Sequence, residues 1–116
     1  MNKEGCLFCK IIKKELPSRI VHEDSDSIAF EDISPKAPVH IMVVPKQHIE
    51  KISDLDIENA AIAGKLLLVA NKIAKEKGIA ETGYRIVINC NKDAGQEIFH
   101  LHLHLLGGRK LTWPPG

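Results

Sequence analysis

The chain has 116 residues, with 16 basic and 15 acidic side chains and a formal net charge of +1. That length suits one domain with one modest core, and the near-neutral balance excludes the strongly basic surface that nucleic acid or an anionic membrane selects. No apolar run reaches the roughly 20 residues of a membrane span, and residues 1–5 do not form a secretory leader. Three cysteines, an odd number, read as thiols or metal ligands rather than a disulfide framework, so a cytoplasmic protein is expected.

Cys6 and Cys9 open the chain in C-x-x-C spacing. Phe8, Ile11, Ile12 and Leu16 then recur at helical intervals, which predicts a short helix ended before Pro17. Residues 20–23 and 27–31 read as two strands of a hairpin about the turn-forming Asp24-Ser25-Asp26. Pro35 and Pro38 make 32–38 a loop. Val39-His40-Ile41-Met42-Val43-Val44 is nearly all apolar, the pattern of a central strand covered on both faces. Ser53-Asp54-Leu55-Asp56 matches a helix-opening box. From there to Lys77, Ile62, Leu66, Val69 and Ile73 mark one face of a long amphipathic helix, with Gly78 at a left-handed cap. Residues 84–90 predict a strand and 91–97 a loop. The tail, 111–116, holds two prolines and the only tryptophan, and is neither helix nor central strand. A tryptophan there calls for a surface to bury against, a partner subunit among them. The order of elements predicts an α+β domain over 1–116 with a mostly antiparallel sheet, and its small core makes an oligomer reasonable.

The stretch that carries chemistry is His100-Leu101-His102-Leu103-His104-Leu105-Leu106. Side chains two apart on a strand share a face, so the imidazoles would line one side and Leu101, Leu103 and Leu105 the other. Like-facing positions lie about 6.5–7 Å apart, which lets a phosphate rest across the row. From the residues alone three readings stand: nucleophilic and acid catalysis on a phosphate, metal ligation, and buried core histidines.

This His-x-His-x-His run resembles the signature of the histidine-triad superfamily of nucleotide hydrolases and transferases. Asp32-Ile33-Ser34-Pro35, Ala37-Pro38, Val39-His40-Ile41, Pro45-Lys46-x-His48-Ile49, Gly95-Gln96, Gly107-Gly108-Arg109 and Trp113-Pro114-Pro115-Gly116 resemble its Hint branch in the same order. The resemblance runs from about Cys6 to the last residue. It implies a HIT-like fold of about five mostly antiparallel strands with one long and one short helix. It further implies a homodimer whose two sheets join into one, with the extended tail of about 109–116 at the interface.

The activity it implies is that of a purine nucleoside phosphoramidase. His102 attacks the α-phosphorus, a nucleotidyl-histidine forms, and water releases the nucleoside monophosphate. His104 assists protonation of the leaving group, and His100 and Gln96 complete the catalytic set. Asn89, Gly95 and Gln96 hold the phosphoryl oxygens. Asp32 takes the ribose hydroxyls, and Phe8, Ile11, Leu16, Phe30 and Ile33 form an apolar slot for the base. Trp113 is expected to cross to a partner subunit and border its site. His40 is read as orienting the active strand, His22 as a surface residue and Cys90 as a buried thiol.

Bacterial relatives of this kind place a structural zinc on the positions that are here Cys6, Cys9, His48 and His100, which would withdraw His100 from the chemistry; catalysis itself needs no metal. Glu97 departs from the animal Hint proteins, which carry Ser there. A carboxylate beside an anionic substrate is unfavourable unless it turns away or meets a cationic leaving amine. The other activities in view are a nucleotide-binding regulatory or interaction module, a dinucleoside polyphosphate hydrolase, and a metallohydrolase that uses the histidine row as ligands.

Overall fold

Alternation along the strand Val39–Pro45 decides how the molecule is layered. In the computed structural model, which describes residues 5–116, the elements run α1 (Leu7–Ile12), β1 (Ile20–Glu23), β2 (Ser27–Glu31), β3 (Val39–Pro45), α2 (Ala61–Glu76), β4 (Tyr84–Val87) and β5 (Leu103–Gly107). Residues 1–4, part of the run expected not to be a leader, lie outside that description. The strands form one antiparallel sheet in the order β1-β2-β3-β5-β4. Ile41 and Val43 of β3 face the long helix with Ala29, Leu103 and Leu105, where Leu66, Val69, Ala70 and Ile73 of α2 close the main core. Met42 and Val44 face the other way and pack with Ile28 and Phe30 against Phe8, Cys9 and Ile11 of α1. The apolar run of β3 thus sits under a helix on each side. No helix among the described residues is long and apolar enough to cross a membrane.

Four boundaries differ from the sequence-based expectation. The short helix stops at Ile12 rather than running toward Pro17, because Lys14 adopts φ 64° and the Glu15 N–H folds back to the Lys10 carbonyl. Ser53 does not open the long helix. Residues 52–54 make a single 3₁₀ turn, Leu55 is extended, and the Asp56 carboxylate accepts from the Glu58 and Asn59 N–H groups while Asn59 Oδ1 accepts from Asp56 N–H. These side-chain bonds hold a turn in place of a helix start, and α2 begins only at Ala61. The ladder of β4 ends at Val87, and that of β5 begins at Leu103, so His100 and His102 precede the paired strand. There the Leu101 N–H donates to Ile49 O at 2.6 Å, which keeps the leucine side of the run on the core. At the far end Gly108 takes φ 91°, and a β-carbon there would meet Pro38 at 2.9 Å; only glycine fits.

Candidate active site and metal cluster

On the α1 side of the sheet lies a cavity of about 920 Å³. Its apolar half is walled by Phe8, Ile11, Leu16, Phe30 and Ile33, and its polar half by Asp32, Asn89, Gly95, Glu97, His102 and His104. The two histidine rings lie 5.1 Å apart, centroid to centroid, and Phe8 sits edge-on to His102 at 5.2 Å.

Main-chain partners fix where the protons are. His102 Nδ1 lies 2.8 Å from the carbonyl oxygen of His100. A carbonyl only accepts, so Nδ1 carries the hydrogen and Nε2 keeps its lone pair. A second pair of ring contacts sets His40 and His104. The Lys36 N–H donates to His40 Nδ1 at 3.0 Å, which leaves the hydrogen of a neutral His40 on Nε2. That Nε2 lies 3.0 Å from His104 Nδ1, so His104 accepts there and bears its own hydrogen on Nε2. Nε2 of His104 has no other partner among the described residues. One ring therefore offers an acceptor and its neighbour a donor. Burial lowers the pKa of His102 and His40, and pushes His104 down to about 4, with the His102 and His40 rings adding to the shift and the Asp32 carboxylate opposing it.

A second cluster lies directly behind. Cys6 Sγ is 3.3 Å from His100 Nδ1, Cys9 Sγ is 3.3 Å from His48 Nδ1, and the two Nδ1 atoms are 3.2 Å apart. All four potential ligand atoms lie within 4.8 Å of one another. The His100 Nε2–H donates to Pro45 O at 2.7 Å, which turns the Nδ1 lone pair toward the sulfurs. Two thiols and two imidazoles in a buried pocket suit a divalent metal of intermediate softness in a closed site. Asp32, His40 and His104 also have ligand spacing. In that group, however, the hydrogen on His40 Nε2 occupies the lone-pair direction a metal needs.

The sequence matches the HIT domain family over residues 13–111. The chain belongs to the HIT family. It is 50% identical over 113 residues to an uncharacterized HIT-like protein of Synechococcus elongatus, covering 97% of this chain and 98% of that one. It is 48% identical over 108 residues to the purine nucleoside phosphoramidase of Escherichia coli, covering 93% and 91%. Among solved structures, a HIT family hydrolase from Legionella pneumophila superposes with a TM-score of 0.95 at 48% identity, covering 97% of this chain and all of that one.

Within this HIT fold the histidine row divides by location. His102 and His104 face the cavity, whereas His100 is fully buried in the thiol cluster and lines none of it. Gln96 also departs from its expected place on the phosphate. Its amide donates to Glu50 O at 2.8 Å and Ile98 O at 3.1 Å, and its Oε1 accepts from Asn91 N–H at 2.9 Å, so it braces the loop from inside. Trp113 does not line the cavity of its own chain; it is 79% exposed, with the Arg85 guanidinium 5.9 Å over its ring. Lys36, Ile98 and Pro115 line the cavity without having been singled out. Lys36 follows the Asp32-Ile33-Ser34-Pro35 run, and that adjacency was the one available signal.

Proposed function

We propose that this enzyme cleaves purine nucleoside phosphoramidates, or related adenylates, through a covalent nucleotide on His102. The bare Nε2 of His102, set by the hydrogen bond from Nδ1–H to His100 O, carries the reading. The α-phosphate rests over His102 and His104 near Gly95 and Asn89, Asp32 takes the ribose, and the base enters the Phe8–Phe30 slot. Nε2 attacks phosphorus as the bond to the leaving nitrogen breaks. An anionic phosphate against His104 favours its protonated form, and that ring delivers a proton to the departing amine. Water then attacks phosphorus, the P–Nε2 bond breaks, the nucleoside monophosphate leaves, and the water's proton returns to His104.

The Cys6, Cys9, His48 and His100 set is read as a structural zinc site; zinc there would cross-link the N-terminal segment to the active strand without entering the reaction. A homodimer is proposed through the β4 edge and the outer face of α2. In support, β4 is an edge strand of the sheet among the described residues, and Leu68 of α2 is 69% exposed. In the dimer the Trp113 tail would border the partner's cavity.

The test is steady-state hydrolysis of adenosine 5′-phosphoramidate with a chelator present. A kcat at saturating substrate that persists in chelator and disappears in His102→Ala is expected. A kcat lost in chelator while nucleotide still binds, and regained with added metal, would establish the metallohydrolase instead.

A further inference from the structure

The thiol cluster touches the cavity by three separate routes. The first is α1: Cys6 caps the helix and Cys9 lies in its first turn, while Phe8 between them reaches the other way, 5.2 Å from the His102 ring and 5.9 Å from that of His100. A helix of six residues does not hold itself, so its position rests on its anchors. The second passes through His48. Two residues on, Glu50 O accepts from the Gln96 amide, whose Oε1 in turn holds Asn91 N–H. Asn91 has φ 68° and opens the loop that brings Gly95 and Glu97 to the cavity. The third is His100, whose ring belongs to the cluster and whose carbonyl fixes the tautomer of His102. Base slot, phosphate loop and nucleophile are all strung from the same four side chains.

We propose that metal occupancy of this cluster and nucleotide binding in the cavity are thermodynamically coupled, so that the metal sets how well the enzyme holds its nucleotide. The inference rests on the nucleotide and zinc readings above. Loss of the metal loosens three walls that a nucleotide must then order again, and that ordering is charged against its binding. Linkage makes the effect reciprocal: whatever factor the metal adds to nucleotide affinity, the nucleotide adds to metal affinity.

The experiment measures adenosine and guanosine monophosphate binding by calorimetry, under reductant, to zinc-loaded and zinc-stripped protein. In parallel, zinc affinity is read by competition with a chromogenic chelator, with and without saturating nucleotide. Binding about tenfold or more tighter in the loaded protein is expected, with the same factor in zinc affinity. Should the stripped chain fail to stay folded, His48→Ala, which removes one ligand, takes its place in the calorimetry, with the same loss of nucleotide affinity expected and unchanged affinity counting against the coupling. Gln96→Ala cuts one route and should lower the factor while zinc stoichiometry stays at one per chain. Equal affinities in both arms, with one zinc and one nucleotide bound per chain, would overturn the coupling alone. Loaded protein that binds neither nucleotide would overturn the coupling together with the nucleotide reading, and failure to take up zinc would overturn it together with the zinc reading.

Discussion

The chemistry turns on which ring nitrogen of each histidine carries its hydrogen. Peptide groups settle this: a carbonyl at His102 and an N–H at His40, the latter passing its constraint to His104. His102→Ala should remove turnover by several orders of magnitude, while thermal melting stays cooperative, because the ring is the proposed nucleophile and only part of a well-packed face. Protonation gives a second check. His104 is held down to about 4 by burial, so its ring is neutral in the folded protein between there and 6.5, where the unfolded chain is already taking up protons. The stability this contributes is present above about pH 6.5 and is lost as pH falls toward 4. Urea titrations at pH 7 and pH 5 should show the lower midpoint at pH 5. The acid limb of kcat/KM belongs to the proposed nucleophile His102, which burial also lowers, so activity should hold below pH 6.5 before that limb begins. An acid limb centred near 6.5 would contradict the burial argument. The alternation of histidine and leucine made His102 and His104 legible in the sequence. Gln96 and Lys36 were not legible in the same way: Gln96 acts through main-chain groups far along the chain, and Lys36 is set beside His40 by the fold of the proline loop.

Elements of the sheet were readable from three signals: the continuous apolar run of β3, the turn residues before β2, and the alternating leucine face of β5. Leu103 is fully buried between β3 and α2, and Leu103→Ala should cost about 2–5 kcal/mol in denaturant unfolding. Lys72→Ala, on the exposed side of α2, should stay within about 0.5 kcal/mol. The start of α2 escaped the sequence because Ser53 offers a cap and Asp56 offers a competing turn, and only packing chooses between them. The end of α1 escaped it because a left-handed lysine leaves no mark in composition. These two lie away from the histidine face, whereas the late start of β5 falls within the histidine run itself.

Taken whole, the fold keeps its main core under α2 and its cavity beside the smaller α1 core on the other side of one sheet, so the leucine face is packed while the histidine face borders the cavity. The open β4 edge and Leu68 belong to the proposed pairing surface. Leu68→Glu should shift sedimentation from twice the chain mass toward the single chain, and a wild-type protein that sediments as one chain would remove the dimer. The His-x-His-x-His run placed the chemistry on this face, but the split between His102 and His104 on one side and His100 on the other required the thiol cluster to be seen in three dimensions. The most direct test of the account is intact-protein mass spectrometry of acid-free quenched single turnovers with adenosine 5′-phosphoramidate. The account predicts a transient species heavier by one adenylyl group, mapped to His102 by fragmentation and missing from His102→Ala. Full turnover with no adduct at any time, or an adduct that persists in His102→Ala, would contradict it.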